Sequence, residues 1–219
     1  MKLVGSKLCV LIEDFFSPGI TAGFSKPSLK TGSAEDIRQV LSGLGKKATP
    51  VYMYQPHSAK VKIIKTPGVY DCDAVFTESK SNALVVRTAD CLPLIFSDDS
   101  SSIIGILHLG WCPAQKGILD NIPYDLSSFK VFAGVGLRSC CYEVGQEFMD
   151  SNLAEYISGR DKKLYFDPIN FARDKLASRG LSKDNFFDLK LCSFCSKGEY
   201  FSYRKTKTKN RTFSFILNF

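Results

Sequence analysis

Histidine is scarce in this chain, with only His57 and His108 among 219 residues. Any imidazole chemistry must therefore use one or both of these side chains. Two histidines are also too few to build a cluster of several copper ions, because each copper ion draws on more than one imidazole. Tryptophan is scarcer still, since Trp111 is the single indole.

Long apolar runs are missing as well. No stretch approaches the roughly 18 apolar residues that a membrane span requires. The apolar segment near the start is broken by Glu13 and Asp14, and no small-residue cleavage site follows it, so a signal peptide is not expected. We therefore expect a cytoplasmic protein with no membrane partner.

Internal repeats, low-complexity segments and long linkers are also lacking, which predicts one domain over residues 1–219. What the chain has in plenty is cysteine, with eight residues. An even number allows a disulfide framework. A chain of this length without a secretion signal does not need one, so the composition favours free thiols.

The formal net charge is +7, and part of it comes from the basic run between Arg204 and Arg211. Such a run is typical of a solvated loop. A nucleic-acid partner is not expected, because no aromatic interleaving or reader motif surrounds the run. Small anionic substrates such as phosphate suit the charge equally well.

Hydrophobic patterning predicts many strands and few helices. Apolar runs bounded by turn residues indicate strands at Leu8–Ile12, Val51–Gln55, Val61–Lys65, Ala83–Thr88, Leu94–Phe96, Ile103–His108, Val131–Val135 and Thr212–Leu217. Cap residues and periodicity indicate helices at Ser33–Leu44, Gly117–Asn121, Glu143–Ile157 and Pro168–Arg179. Many strands with peripheral helices predict an α+β domain built around mixed sheets.

The most informative segment runs from Ala83 to Trp111, where two apolar runs flank the polar stretch 97–102. This pattern predicts a hairpin with a longer loop. A turn centred between residues 99 and 100 would place Cys91 opposite His108, close enough for both to bind one metal ion. Pro93 weakens this register, since proline lacks a ladder donor.

His57 lies at a bend in Gln55-Pro56-His57-Ser58, where its side chain can be aimed at a neighbour. Together with Cys91 and His108 it would supply the nitrogen and sulfur ligands that zinc accepts, with a fourth position left open. A hydrogen-bonded core histidine and a buried apolar cysteine are the plainer interpretations of the same residues.

Two cysteine pairs offer other interpretations. A CxxC such as Cys192-Ser193-Phe194-Cys195 is typical of a zinc or redox site, but no second CxxC completes it. The vicinal pair Cys140-Cys141 fits no standard ligand spacing.

At these residues the sequence resembles the YfiH family, also called the laccase-domain or multicopper polyphenol oxidase family. The resemblance extends over most of the chain and is carried by several motifs in the same order. They are Gln55-Pro56-His57-Ser58, Asp73-Ala74-Val75-Phe76-Thr77, Thr88-Ala89-Asp90-Cys91-Leu92-Pro93-Leu94, His108-Leu109-Gly110-Trp111, Cys140-Cys141-Tyr142-Glu143-Val144-Gly145 and Phe201-Ser202-Tyr203-Arg204.

The resemblance implies a layered α/β/β/α fold, similar to one assigned to cysteine hydrolases. It implies that His57, Cys91 and His108 bind zinc, with copper as the alternative metal. The implied activity is that of a purine nucleoside phosphorylase acting on adenosine, inosine, guanosine and methylthioadenosine, with adenosine deaminase activity. Purine nucleosides and phosphate would then be the small-molecule partners, and the protein would be a monomer or a homodimer.

Further roles are expected around the metal ligands. Cys91, His108 and Asp90 are candidate catalytic residues, although Asp90 suits a role in holding local backbone equally well. Asp73, with Thr77, could orient a ligand histidine. Asp73, Arg138 and Tyr142 are candidate substrate-binding residues.

The sequence departs from the family at one place that bears on the chemistry, and the segment before Cys140-Cys141 is altered as well. The family usually continues His-Ala-Gly-Trp with Arg-Gly, whereas here Cys112-Pro113 follows Trp111. A guanidinium donates two parallel hydrogen bonds to phosphate, so its loss bears directly on phosphate binding. Two other enzyme classes use the same residues: a metal-free cysteine hydrolase with Cys91 as nucleophile and His108 as base, and a copper-dependent polyphenol oxidase.

Overall fold

The computed structural model describes residues 1–29 and 33–219. Its strands, in chain order, are β1 Lys2–Gly5, β2 Cys9–Glu13, β3 Ile20–Ser25, β4 Thr49–Met53, β5 Val61–Ile63, β6 Val69–Tyr70, β7 Ala74–Thr77, β8 Asn82–Thr88, β9 Leu92–Asp98, β10 Ile104–Leu109, β11 Phe129–Ala133, β12 Glu143–Val144, β13 Ile157–Arg160, β14 Lys163–Phe166, β15 Phe186–Asp188 and β16 Thr212–Asn218. The α-helices are α1 Ala34–Gly43, α2 Trp111–Gln115, α3 Pro168–Ala177 and α4 Tyr203–Thr206.

The strands form three sheets, and the two large ones are mixed. The seven-stranded sheet has the order β1-β2-β3-β16-β8-β4-β6, and the six-stranded sheet has the order β15-β11-β9-β10-β7-β5. Most neighbours are antiparallel, but β4 runs parallel to β8 and to β6, β5 to β7, and β11 to β15. The predicted α+β class with mixed sheets is confirmed.

Alternation along the strands explains how the sheets stack. In β8, Leu84 and Val86 pack in a core between the two large sheets, while Ala83 and Val85 pack on the opposite face beneath α1. A strand whose two faces are both covered is apolar at consecutive positions rather than at every second one. The six-stranded sheet is covered on its outer face by α3, through residues such as Phe171. The order of layers is therefore helix, sheet, sheet, helix.

Helix α1 begins where the sequence predicts. The Ser33 hydroxyl accepts a hydrogen bond from the Asp36 amide, and the Asp36 carboxylate accepts one from the Ser33 amide. This reciprocal capping box satisfies two amide groups that the first helical turn leaves without partners. Helix α3 begins just as predicted at Pro168, capped by Asp167. All eight predicted strands overlap observed ones.

Two predicted helices are wrong. The segment Glu143–Ile157 forms strand β12, which pairs with β14, followed by two short 3₁₀ helices at Gln146–Asp150 and Ala154–Tyr156. Residues 143 and 144 take their backbone partners from β14 rather than from a helical turn, and the sequence gives no sign of that partner. Residues 117–121 form turns after the short helix α2, because Gly117 leaves the helical region with φ of 77°.

The hairpin between β9 and β10 exists, but its register differs from the prediction by two residues. His108 pairs with Pro93, and Cys91 precedes the strand and lies beside Gly110. The turn is centred one residue later than expected because Ser101 adopts φ of 58° and the Ile103 amide donates to the Asp98 carboxylate. Among the described residues, no helix has the length and apolar character needed to cross a membrane.

Gly105 in the middle of β10 tests how tightly this hairpin packs. A Cβ atom at Gly105 would overlap the ring of Phe76, which is fully buried and packed against Phe96 and Tyr124. We expect Gly105→Ala to lower the free energy of unfolding by about 1–3 kcal/mol, the usual effect of overpacking. Denaturant unfolding measures the change.

Gly43→Ala is the matched control, because Gly43 is an exposed residue at the end of α1 and a Cβ there meets nothing within 4 Å. It should leave stability unchanged or raise it by about 0.5–1 kcal/mol. Equal stability of the Gly105→Ala protein and the wild type would contradict the packing described for β10.

Candidate metal centre

His57, Cys91 and His108 converge at one end of the six-stranded sheet, although 51 positions separate the first from the last. Their ligand atoms all lie within 4.8 Å of one another. The two imidazole rings meet edge to face with centroids 4.8 Å apart. His57 is exposed, Cys91 is half-buried and His108 is buried, so the group opens to solvent on one side.

Asp73 positions both histidines. Its carboxylate is fully buried and accepts hydrogen bonds from the amides of His57, at 3.2 Å, and Ser58, at 2.6 Å. It also lies 2.8 Å from Nδ1 of His108. When Nδ1 is engaged by a carboxylate, Nε2 is left to face a metal ion, an arrangement typical of zinc-bound histidines.

The bend that presents His57 is built from two residues with left-handed backbone. Gln55 has φ of 55° and His57 has φ of 59°. The Gln55 side chain compensates for the end of strand pairing, because it donates to the Arg87 carbonyl at 2.8 Å and accepts from the Arg87 amide at 3.0 Å. The start of the loop is thereby fixed to β8.

Cys91 is held by its neighbours in a strained turn. Asp90 adopts φ of 99°, a value that is costly for a residue with a Cβ atom. Its carboxylate compensates by accepting from the Ser193 hydroxyl at 2.8 Å and from the Arg204 amide at 2.6 Å. Gly110 gives the thiol room, since a Cβ there would come within 2.9 Å of the Cys91 sulfur.

Cys91 and His108 strongly affect each other's protonation. Burial opposes the charged form of Cys91, but the charges and hydrogen bonds of His108 and His57 outweigh it and lower the pKa of the thiol to about 6. Burial likewise opposes a charged His108, but the Cys91 thiolate and Asp73 raise the pKa of that imidazole to about 9. Without a metal, the pair is therefore a thiolate beside an imidazolium at neutral pH.

Burial alone would raise the pKa of Asp73, yet hydrogen bonds from His108 and Ser58 lower it below its usual range. Asp73 is therefore an anion next to the histidines. Two imidazole nitrogens and one thiolate sulfur around one point form a ligand set that zinc accepts, with a fourth position free on the exposed side. These residues fit a single metal ion.

We call His57, Cys91 and His108 the triad. Its free side opens into a cavity of about 730 Å³, within the usual size of small-molecule sites. Three exposed aromatic residues line it, namely Tyr54, Trp111 and Tyr203. Five cationic residues also line it, namely Arg87, Arg204, Lys207, Lys209 and Arg211. Asp90 and Tyr142 complete the wall next to Cys91.

Of the three predicted substrate-binding residues, only Tyr142 lines the cavity. Tyr142 lies at the cavity, and its hydroxyl accepts from the Trp111 amide at 3.1 Å. Asp73 lies behind the histidines rather than in the cavity wall. Arg138 lies away from the cavity, because its guanidinium donates to Asp188 at 2.9 Å and to the Gly134 carbonyl. Thr77 donates to the Ile64 carbonyl and does not reach a histidine.

The basic run at residues 204–211 is the feature that sequence reasoning missed. The sequence pattern of this run is typical of a solvated loop, yet four of its cations line the same cavity as the triad. The motif Phe201-Ser202-Tyr203-Arg204 carried the signal, since the Arg204 amide binds Asp90 and its guanidinium stacks over Tyr142 at 5.4 Å. Cys112, at the position of the family's usual arginine, lies half-buried in α2.

Comparison with known proteins agrees with this architecture. A family model described as multi-copper polyphenol oxidoreductase laccase matches residues 30–218. A purine nucleoside phosphorylase of Aquifex aeolicus is 34% identical over 173 residues, which are 74% of this chain and 80% of that protein. A purine nucleoside phosphorylase of Borreliella burgdorferi is 31% identical over 185 residues, 71% of this chain and 79% of that protein.

The fold is also found among solved structures. The crystal structure of a hypothetical protein YfiH from Bacillus licheniformis superposes with a TM-score of 0.87 over 99% of both chains. Sequence identity is 21%, so this likeness concerns the fold alone. The resemblance drawn from the sequence motifs is confirmed. The similarity of this fold to that of cysteine hydrolases stays a prediction.

The thiolate–imidazolium pair predicts an unusual pH profile for Cys91 in chelator-treated protein. Its alkylation by iodoacetamide should rise with a midpoint near pH 6, because the thiolate is the reactive form and its pKa is lowered to about 6. In His108→Ala the stabilising charge is lost, so the midpoint should move upward by about two pH units or more. Peptide mass spectrometry after timed labelling measures both.

Cys112 serves as the internal control in the same samples, since it is half-buried but lies outside the triad. Its labelling profile should be the same in the two proteins. A Cys91 midpoint that does not move in His108→Ala would show that the two side chains are not coupled.

Proposed function

The chain belongs to the multi-copper polyphenol oxidoreductase laccase family, and we propose that it is a zinc-dependent purine nucleoside phosphorylase that also deaminates adenosine. The observation that supports this most directly is one cavity in which the His57–Cys91–His108 triad, aromatic faces and a group of cations meet. Relatives that carry the name purine nucleoside phosphorylase support the substrate class.

His57, Cys91 and His108 would hold the zinc ion. When bound there, zinc supplies Lewis acidity and makes a nucleophile available from water at neutral pH. Asp73 keeps His108 oriented toward the metal and fixes the backbone of His57. Asp90 links Cys91 to the segment that carries Arg204, so we assign it a positioning role alongside its candidacy as an acid or base.

The aromatic residues suit a purine base. Tyr54 and Tyr203 expose 71% and 50% of their surface, and Trp111 exposes 43%. Aromatic side chains this exposed around a cavity offer faces for a flat heterocycle, and stacking of a base on such a face contributes about 1–3 kcal/mol. The Trp111 ring rests edge to face on Phe148 with centroids 5.4 Å apart, which fixes its orientation.

The cations suit phosphate. Arg204 is anchored through the Cys141 and Glu143 carbonyls, so its charge is held in the wall of the cavity. Lys207, Lys209 and Arg211 line the same cavity. They provide in this chain the positive charge that the family's usual arginine after Trp111 would provide.

In phosphorolysis, a phosphate oxygen forms a bond to C1′ of the ribose as the bond from C1′ to the purine nitrogen breaks. The purine leaves with the bonding electrons and gains a proton, giving the free base and ribose 1-phosphate. In deamination, water adds at C6 of adenosine and ammonia leaves. The cationic side of the cavity would lower the energy of the incoming dianion in the first reaction.

A second candidate is a metal-free cysteine hydrolase. The specific observation in its favour is the Cys91 thiolate beside His108, with Asp73 orienting the imidazole, the order of a nucleophile, a base and an orienting carboxylate. This enzyme would not need His57. Copper-dependent phenol oxidation has less support, because the chain's two histidines can serve only a mononuclear site.

His57→Ala separates the two leading candidates. We expect purified protein to convert inosine and adenosine to free base only when phosphate is present, and His57→Ala to lose at least about a hundredfold in kcat/KM because a zinc ligand is removed. Chromatography of the products measures the reaction. Lys65→Ala, at an exposed residue outside the cavity, is the control and should keep full activity.

Full activity of the His57→Ala variant would rule out the zinc mechanism. The dyad of Cys91 and His108 would then remain as the candidate catalytic group. Release of base that is equal with and without phosphate would instead exclude phosphorolysis.

Lys209→Gln tests the phosphate side of the cavity. Removing one exposed cation should raise the KM for phosphate by about two- to fivefold, since a solvent-screened charge contributes up to about 1 kcal/mol. The KM for inosine should stay unchanged. Lys197→Gln removes an equally exposed charge that does not line the cavity, and should change neither constant. Equal effects of the two substitutions would refute a phosphate role for this segment.

A further inference from the structure

Four cysteines meet at a second point, formed by the vicinal pair Cys140-Cys141 and the CxxC pair Cys192 and Cys195. All four sulfur atoms lie within 4.8 Å of one another. Cys195 lies 3.2 Å from Cys141 and 3.6 Å from Cys140, sulfur to sulfur. We call this group the four-cysteine cluster. Among the described residues that line the triad's cavity, none belongs to it.

We propose that the four-cysteine cluster binds a zinc ion that has a structural role. Neither pair is a zinc motif alone, but the fold joins them into a complete set of four thiolates, the commonest kind of closed structural site. Zinc–sulfur bonds of about 2.3 Å in a tetrahedron place the sulfurs about 3.8 Å apart. The sulfur positions in the cluster lie close to such an arrangement before any ion is added.

The cluster's geometry favours a metal over disulfides. A disulfide between Cys141 and Cys195 would use two sulfurs and give the other two no reason to face the same point. The CxxC turn is closed by Ser196, whose amide donates to the Cys192 carbonyl at 3.0 Å and whose hydroxyl donates to the Ser193 carbonyl at 2.8 Å. The fold therefore fixes the turn that presents Cys192 and Cys195 to the vicinal pair.

Cations surround the cluster. Arg160 donates to the Cys140 carbonyl at 2.8 Å, and Arg204 donates to the Cys141 carbonyl at 3.2 Å. Lys205 donates to the Phe194 carbonyl at 3.0 Å. Four thiolates around a divalent ion carry two net negative charges, and cations held by the ligand loops themselves compensate that charge.

The ion would stabilise the wall of the neighbouring cavity. Ser193, inside the CxxC turn, donates its hydroxyl to Asp90 and its amide to the Gly136 carbonyl. Asp90 in turn precedes the triad ligand Cys91. A metal that fixes this turn therefore holds the strained backbone at Asp90 from behind, without touching substrate. The inference stands independently of the reaction proposed above.

Zinc stoichiometry in a set of variants tests the proposal. The full chain is purified from zinc-supplemented cells without chelator, in a phosphine reductant that does not bind metal, and zinc is counted by elemental mass spectrometry. The His57→Ala background disables the triad. We expect about one zinc per chain in His57→Ala and essentially none in His57→Ala with Cys195→Ser. Cys140→Ser in the same background should behave like Cys195→Ser.

Cys112→Ser in the His57→Ala background is the matched control, because Cys112 belongs to neither metal-ligand group. It should retain the zinc. Cobalt replacement gives a second readout. His57→Ala loaded with cobalt(II) should show the intense thiolate charge-transfer band of four sulfurs in a tetrahedral site, and Cys195→Ser should lose most of it.

Cys140 and Cys195 are both exposed, so we expect the serine variants to fold. Circular dichroism verifies this. The proposal is overturned if His57→Ala contains no zinc, if Cys195→Ser and Cys112→Ser keep equal zinc, or if peptide mapping finds the four cysteines paired in disulfides.

Discussion

The arrangement of this site depends on one buried carboxylate. Asp73 is fully enclosed, remains ionised and contacts both the loop of His57 and the ring of His108. A buried charge is stable only when hydrogen bonds replace its lost hydration, and here four donors do so. The same bonds that stabilise Asp73 therefore define where the two histidines lie. If Asp73 is neutralised, both ligands lose their common support.

Other parts of the site follow the same principle, with strain at one residue compensated by contacts from far along the chain. Asp90 has an unfavourable backbone conformation, and the segments that stabilise it contain Ser193 and Arg204, more than a hundred positions away. The cavity is thus closed by pieces that share no local sequence. Its shape therefore depends on the whole fold.

The sequence predicted those parts that depend on local order. Ser33 and Asp36 define the start of α1 between themselves, and apolar runs located all eight predicted strands. The β9–β10 register was missed by two residues because one positive φ at Ser101 shifts the turn. The helix predicted at Glu143–Ile157 does not form, because residues 143 and 144 pair as strand β12 with β14. The grouping of His57 with Cys91 and His108 was predicted from the resemblance of the motifs to a family, and not from their spacing along the chain.

The placement of the last strand has a consequence for how the chain folds. Strand β16 lies inside the seven-stranded sheet, between β3 and β8, and pairs with both along its length. The paired residues of β3 and β16 lie nearly two hundred positions apart in the chain. Closing so long a loop costs conformational entropy, so we expect this pair of strands to form late in folding. Until residues 212–218 leave the ribosome, β3 and β8 are open edges in an unfinished sheet. During synthesis, the interval before that strand emerges is therefore when the nascent chain is most exposed to misassociation.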